Sequence, residues 1–227
     1  MSDTLLLILV LVPCLVIAIV FHEVAHGYAA KLLGDTTASE RGRLTLNPIR
    51  HVDPVGTLLV PGALALAGGP VFGWAKPVPV MKSRLRNPRL GMMAVAAAGP
   101  GSNFVLAFLG ALALGVAMIV MGPGVMAEDN IVGLGLTMFL LINIFLGLFN
   151  LLPIPPFDGS HIVGGLLPVH LRRHWERLQR VGIVLILGVI AYSWMFGTSW
   201  IASTLLPPVE WAMGLCLRFA GWIAGAP

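Results

Sequence analysis

The sequence predicts an all-α polytopic membrane protein with about five to six transmembrane helices and a small β or re-entrant segment between the first two full spans. Hydrophobic residues make up 57% of the 227 residues and charged residues only 11%, whereas soluble proteins carry about 25% charged residues. The mean hydropathy is +0.91. The sequence contains no repeat, low-complexity run or long linker, so we expect a single domain over residues 1–227.

The first helix is expected over 5–33, because an uncharged run opens it and Gly34 is placed as a C-terminal cap. Alternating polarity predicts a short strand near 43–46, and prolines predict a second extended strand near 77–80. Prolines and glycines interrupt the apolar run 55–73, which favours a re-entrant hairpin, although a straight span stays open. The later elements are helices over 91–121, 131–152 and 159–167, a basic loop over 170–180, and two C-terminal helices within about 181–223, at 181–196 and 208–223.

Charge placement predicts the topology. Basic residues concentrate in segments 31–53, 76–89 and 170–180, and loop 122–130 carries two acids and no base. Because positively charged loops stay on the cytoplasmic side, we expect the three basic segments there. The net charge of +4 is then explained by these basic cytoplasmic segments. No nucleic-acid partner is expected, since the basic residues are not interleaved with aromatic residues on a polar face.

The first helix contains a His-Glu-x-x-His motif formed by His22, Glu23 and His26. Residues four apart share one helical face, so both imidazoles can reach a single metal ion, while Glu23 is turned off that face. A carboxylate near the centre of a membrane helix costs about 2.5–3.5 kcal/mol, so function or pairing has to retain it. The plainer alternative is that the three side chains snorkel to the membrane surface near Lys31.

A catalytic zinc site usually takes three protein ligands, and the chain has only ten acidic residues from which to choose the third. Most of them fall in polar loops or on the opposite membrane face, which leaves Asp158. It follows a proline-broken helix end and precedes Gly159, which allows a close backbone approach. The alternative is that Asp158 caps the next short helix. His161, three residues later, is interpreted as a neighbour of the site or a solvent-facing residue and not as a ligand.

These residues resemble the site-2 protease family of intramembrane zinc metalloproteases (peptidase family M50), in a compact bacterial type without PDZ-like or CBS-like segments. The resemblance covers about 5–165, which we take as the catalytic core, and rests on three ordered motifs. They are His22-Glu23-Val24-Ala25-His26, the Gly-Pro-x-x-Asn element Gly99-Pro100-Gly101-Ser102-Asn103, and Asn150-Leu151-Leu152-Pro153 through Asp158-Gly159. One departure is Phe157, where leucine commonly precedes Asp-Gly; this apolar exchange leaves the ligand in place.

The resemblance implies one Zn²⁺ per chain bound by His22, His26 and Asp158, with Glu23 as the base that activates water. It implies transmembrane-helix proteins as substrates, cut within or near the bilayer of the bacterial cell membrane. The charge placement, independently of the resemblance, puts His22, His26 and Asp158 toward the cytoplasmic ends of their helices. Asn103 and Asn150 are implied as contacts to the substrate backbone or oxyanion, and interhelical hydrogen bonding is an equal alternative.

Other functions are compatible with these residues. The alternative function is a zinc-binding membrane protein without protease activity, either a helix-binding scaffold or a metal transporter. A transporter would spread polar residues along the depth of its helices, whereas here they concentrate at one depth. Segments 43–46 and 77–80 could present an edge to an unwound substrate by β-addition. Homo-oligomerisation stays open.

Overall fold

The computed structural model describes residues 3–66, 68, 73–127, 129–197 and 200–225. These residues form nine α-helices and contain no β-strand, so the all-α class is confirmed. The helices are α1 (Asp3–Leu32), α2 (Thr37–Glu40), α3 (Val60–Leu66), α4 (Pro88–Met121), α5 (Ile131–Asn150), α6 (Asp158–Leu166), α7 (Val169–Arg180), α8 (Gly182–Phe196) and α9 (Trp200–Ile223). A π-helical turn at Pro54–Leu59 and 3-10 turns at Pro48–His51, Lys82–Arg84 and Pro123–Met126 lie between them.

Three helices, α1, α4 and α5, are long and apolar enough to cross a membrane. The pair formed by α7 and α8, which is bent by 60°, adds a fourth span if it is counted as one. The described part of the chain therefore supports three or four spans, fewer than the five to six expected. Pro54–Leu66 is too short to span, and α9 is not among the helices that are apolar enough to cross a membrane.

Helix α4 is central and packs against α1, α5, α6 and α9. Its small residues Ala107 and Ala111 pack with Leu140 and Ile144 of α5. At Gly115 a Cβ atom would lie only 2.7 Å from Ile223, so glycine lets α9 approach closely. Small residues permit such contacts in membrane bundles, where dispersion contacts replace the hydrophobic effect. As a result, α4 supports both helices that carry the predicted metal ligands, α1 and α6.

The ends of the predicted re-entrant segment 55–73 meet. Trp74 N–H donates to the carbonyl of Gly56 at 3.0 Å, and a Cβ atom on Gly56 would overlap the Trp74 ring at 2.3 Å. The chain therefore doubles back as a hairpin does, with α3 inside the segment; residues 67 and 69–72 lie outside the described residues.

The predicted strands at 43–46 and 77–80 are wrong: neither segment forms a strand or pairs in a ladder. The Lys76 N–H donates to His51 O at 2.9 Å, and Arg43 Nη2 donates to Lys76 O at 2.8 Å. Pro77 and Pro79 have no N–H to donate, and proline disrupts strand pairing for this reason. Isolated hydrogen bonds therefore hold the segment in place.

Two elements near the C-terminus also differ from the prediction. The predicted basic loop 170–180 is the helix α7. Its charge concealed a helical pattern in which the apolar residues Leu171, Trp175 and Leu178 recur every three to four positions. Helix α9 begins at Trp200, not at Pro208, because Pro207 and Pro208 are accommodated inside it.

Candidate metal centre

The two histidines of α1 and the first residue of α6 meet at one point. His22 Nε2 lies 3.1 Å and His26 Nε2 lies 3.4 Å from Asp158 Oδ2. The two Nε2 atoms are 3.0 Å apart. Four-residue spacing puts both rings on one face of α1, and α6 delivers the carboxylate. Within the described ranges this is the only group of three His, Cys, Asp or Glu side chains arranged to hold a metal ion.

The backbone of α4 selects the tautomer of His26. Its Nδ1 lies 2.7 Å from the carbonyl oxygen of Val95. A carbonyl oxygen can only accept, so Nδ1 carries the proton and donates it. The neutral ring then presents the lone pair of Nε2 toward Asp158.

A relay of two amides selects the same tautomer in His22. Asn143 Nδ2 donates to Phe139 O at 2.9 Å, and Asn143 Oδ1 accepts from Asn103 Nδ2 at 3.0 Å. Asn103 Nδ2 also lies 3.2 Å from Ala18 O, which fixes the orientation of the amide. Asn103 Oδ1 therefore faces His22 Nδ1, at 2.6 Å, and makes it the protonated nitrogen. Such outer partners orient metal-binding histidines.

When both rings are neutral, these tautomers leave an arrangement that a cation would stabilise. Two Nε2 lone pairs and the Asp158 carboxylate converge within 3.0–3.4 Å of one another, and Asp158 Oδ2 is buried without a hydrogen-bond partner. Three acceptors with no proton between them repel one another, and a positive ion removes this cost. Two imidazole nitrogens and one carboxylate, with a fourth position left open, are a ligand set typical of catalytic zinc sites. The residues therefore fit a zinc ion.

Two motif glycines allow this close packing. A Cβ atom on Gly99 would lie 2.4 Å from His26 Nε2 and 2.6 Å from His22 Nε2. A Cβ atom on Gly159 would lie 2.2 Å from the carbonyl oxygen of Leu151. Because no side chain fits at either position, α4 and the loop before α6 can approach the centre directly.

Glu23 lies beside the centre without joining it. Val78 N–H donates to Glu23 Oε2 at 2.8 Å, and Oε1 has no partner among the residues described. Glu23 shares a cavity of about 540 Å³ with the three ligand residues. Much of the remaining wall is apolar, including Trp74, Val80, Phe149 and Ile183. The cavity thus combines a free carboxylate oxygen with an apolar surface.

The two predicted substrate-contacting asparagines occupy different environments. Asn103 is fully buried. Its contacts to α1 and α5 are hydrogen bonds between helices, which is the alternative to a substrate contact. Asn150 lines the cavity and donates to Leu146 O, one turn earlier in α5, at 3.0 Å. Its carbonyl oxygen has no partner within the described part of the chain, so Asn150 keeps a group to offer a substrate.

His161 also lines the cavity but is absent from the ligand group, as the sequence interpretation expected. Its Nδ1 lies 3.3 Å from Gln179 Nε2. Burial lowers the pKa of His161, which favours the neutral ring. His161 is therefore a neighbour of the centre on the same helix as Asp158.

Asn143 and Asp35 are among the buried polar residues that sequence reasoning missed. Asn143, inside the apolar helix α5, is the outer member of the relay, and its polarity within an apolar run is the signal that could have found it. Asp35 was interpreted as solvated but is fully buried. It accepts hydrogen bonds from Thr37 and from the N–H of Met81. Burial raises the pKa of Asp35, but the hydrogen bonds from Thr37 and Met81 outweigh it, so the pKa is lowered.

Comparison with known proteins places the chain among zinc metalloproteases. Residues 114–191, which include Asn150 and Asp158, match peptidase family M50. YwhC of Bacillus subtilis, provisionally named a zinc metalloprotease, is 41% identical over 78% of this chain and 78% of its own length. Rip2 of Mycolicibacterium smegmatis, named in the same way, is 30% identical over 69% of this chain and 55% of its own length. No solved structure matches the chain.

Proposed function

The chain belongs to peptidase family M50, and on this premise we propose that it is a zinc metalloendopeptidase that cuts transmembrane-helix proteins within or near the bilayer. One observation carries the proposal: a single cavity contains the metal-binding residues and a carboxylate that does not bind the metal. A protein that only stored or moved zinc would have no use for Glu23 at that place.

Each residue of the site has a chemical role in this proposal. His22, His26 and Asp158 hold the zinc ion, which when bound polarises a carbonyl group and lowers the pKa of water. Glu23 accepts a proton from the attacking water at its free Oε1 and returns it to the leaving amine. The hydrogen bond from Val78 to Oε2 holds the carboxylate in position for both transfers. Asn150 is proposed to contact the substrate backbone.

The substrate class is inferred from the location of the site. The ligand-bearing helix α1 is a candidate membrane span, and large side chains such as Leu9, Val12 and Ile17 on its outer surface are exposed. A membrane-embedded site meets peptide bonds that are already hydrogen-bonded within a helix, so a substrate must unwind locally. We expect substrates with a helix-breaking residue near the cleaved bond to be cut faster than uninterrupted helices.

The hydrogen bonds of segment 74–80, beside the cavity, limit how a substrate strand could pair with it. N–H groups at 74, 76 and 78 are used for contacts within the protein. Of the alternating positions 75, 77 and 79, the last two are prolines without an N–H, so the other edge offers mainly carbonyl acceptors. A β-added substrate would donate hydrogen bonds to this edge and receive few in return. We therefore expect side-chain contacts and the metal centre to contribute most of the substrate affinity.

The active site is proposed to open toward the cytoplasm. Support comes from the basic segments 76–89 and 170–180, which follow the positive-inside rule. The segment 76–89 includes Val78, which contacts Glu23, and α7 packs on the helix that carries Asp158.

The decisive experiment replaces Glu23 by Gln in the purified full chain, with Glu210→Gln as the matched control, an exposed residue of α9. Zinc content and cleavage of a panel of transmembrane-helix substrates are measured in detergent. We expect about one zinc per chain in every form, wild-type cleavage in the control, and a loss of about 10²-fold to 10⁴-fold in Glu23→Gln. Cleavage by Glu23→Gln at the wild-type rate would refute the base assignment. Zinc binding with no cleavage by any form would favour the non-protease alternatives.

A further inference from the structure

A second cavity lies apart from the metal centre and has a different character. It has a volume of about 230 Å³ and is formed by the start of α4, the middle of α6, one side of α7 and the turn at Lys82–Arg84. Among the described residues, only Met92 and His161 line both cavities. We propose that this second cavity binds the phosphate of an anionic phospholipid headgroup.

The charge of the cavity favours an anion. Its lining includes the cations Lys82, Arg89 and Arg172 and a single carboxylate, Glu176. Lys82 Nζ and Glu176 Oε1 are 3.4 Å apart, and both side chains are about half exposed. An exposed pair of this kind contributes little stability, so an incoming phosphate can readily compete for Lys82. The other two cations have no carboxylate partner in the described structure.

The two arginines have hydrogen-bonding capacity to spare. Arg89 donates from Nε to Gly165 O and, at 3.4 Å, from Nη2 to the carbonyl oxygens of Leu166 and Leu167. Arg172 Nη2 donates to Leu167 O at 3.5 Å, and its Nε is buried without a partner. Bonds of 3.4–3.5 Å are weak, whereas guanidinium groups bind phosphate oxygens strongly and often in pairs. A phosphate would therefore improve contacts that carbonyl groups now satisfy poorly.

The surroundings identify the phosphate as that of a lipid. On α7 the apolar residues Leu171, Trp175 and Leu178 share one side, and arginines occupy the other; such basic amphipathic helices lie in membrane interfaces. Leu171 and Leu178 remain exposed, as do Leu90 and Leu166 beside the cavity. Anionic headgroups bind basic pockets between membrane helices on the cytoplasmic side. The volume is below the roughly 300–1,000 Å³ of ordinary small-molecule sites, which suits a headgroup phosphate with its acyl chains outside.

Helix α7 is anchored so that the cavity is preformed. Trp175 Nε1 donates to Ser160 O at 2.8 Å, and Gln179 Nε2 donates to the same oxygen at 3.2 Å. A preformed site binds with less ordering cost. Because binding is measured directly, the proposal stands or falls independently of peptidase activity.

The test measures binding of short-chain phosphatidylglycerol to the purified full chain in a neutral detergent, by native mass spectrometry across a lipid titration. Arg172→Gln and Lys82→Gln are compared with Arg173→Gln, an exposed arginine on the same helix that does not line the cavity. Lys82→Gln is included because it leaves the contacts of the arginines to the end of α6 intact. We expect each cavity variant to weaken binding about tenfold and Arg173→Gln to change it less than twofold. Zinc content and melting temperature verify that every variant is folded.

Three outcomes would overturn the proposal. An equal loss in Arg173→Gln and the cavity variants would mean that general surface charge attracts the lipid. Equal binding of phosphatidylcholine would mean that the site does not select an anion. Displacement of the lipid by inorganic phosphate at equal concentration would mean that the site binds free phosphate and not a membrane lipid.

Discussion

Replacing Asn103 by Leu should weaken zinc binding as well as the fold. The change removes three hydrogen bonds of Asn103: from His22 Nδ1 to Oδ1 at 2.6 Å, from Nδ2 to Ala18 O at 3.2 Å and from Nδ2 to Asn143 Oδ1 at 3.0 Å. Leucine keeps the branched shape of the side chain. Hydrogen bonds between membrane helices average about 0.6 kcal/mol, so the three together stabilise the fold by about 2 kcal/mol. Loss of an outer partner of a metal-binding histidine costs about 10-fold to 100-fold in metal affinity, or about 1.4–2.7 kcal/mol.

The measurement is competition for zinc against a chromophoric chelator at constant pH in detergent, with thermal unfolding recorded on the same samples. Asn103→Asp keeps an acceptor for His22 and should stay within about threefold of the wild-type affinity, since a carboxylate serves the same role in many zinc sites. Asn143→Leu loosens the relay one residue further from the metal and should have an intermediate effect. If Asn103→Leu binds zinc as tightly as the wild type, the tautomer argument is wrong. A loss of cleavage at unchanged zinc affinity would instead support Asn103 as a substrate contact.

Three other substitutions test separate parts of the structure. Gly99→Ala should lower zinc affinity and cleavage, because its Cβ would lie 2.4 Å from His26 Nε2. Gly101→Ala should have no effect, since nothing lies within 4 Å of its Cβ position. Equal chelator-competition curves for the two variants would contradict the packing argument. Asn150→Ala should leave zinc affinity unchanged and lower kcat/KM for a transmembrane substrate by about 10²-fold, and unchanged kcat/KM would remove Asn150 from the substrate site. Asp35 has a lowered pKa in the folded chain, so its stabilising effect is complete above its unfolded pKa of about 3.9 and is lost as pH falls through the lower folded value. Asp35→Asn should therefore have a lower melting temperature than the wild type at pH 7. Between pH 5 and pH 3 its melting temperature should fall by less than that of the wild type. Parallel plots of melting temperature against pH for the two proteins would show that another group is responsible.

Much of the metal centre could be predicted from local spacing. A separation of four residues puts His22 and His26 on one face of any helix, and the apolar residues around them make that helix long. Asp158 followed by elimination, because few acidic residues occur in apolar surroundings. The structure places its carboxylate 3.1 Å and 3.4 Å from the two imidazole nitrogens. The roles of these residues in binding and catalysis stay predictions until zinc and cleavage are measured.

Other features could not be predicted because they depend on partners distant in sequence. Asp35 looked solvated in a polar loop, yet Met81, which follows the hairpin, covers it and donates to it. The segment 77–80 looked like a strand because its prolines favour extended backbone, but strand pairing needs N–H groups that prolines lack. The run 170–180 looked like a loop because of its charge, although its apolar residues follow a helical period.

The sequence by itself determined that the chain is a helical membrane protein and that two histidines and a glutamate share one turn of its first helix. These properties follow from composition and from the 3.6-residue period, which act over a few residues. Only the tertiary structure decided which ring nitrogens carry protons, because Val95 and Asn103 reach the histidines from another helix. It also decided that the Val78 N–H donates to Glu23 and that a second, basic cavity lies between α4, α6 and α7. Hydrogen-bond partners and cavities arise where separate helices pack together, and a pattern within one segment does not contain that information.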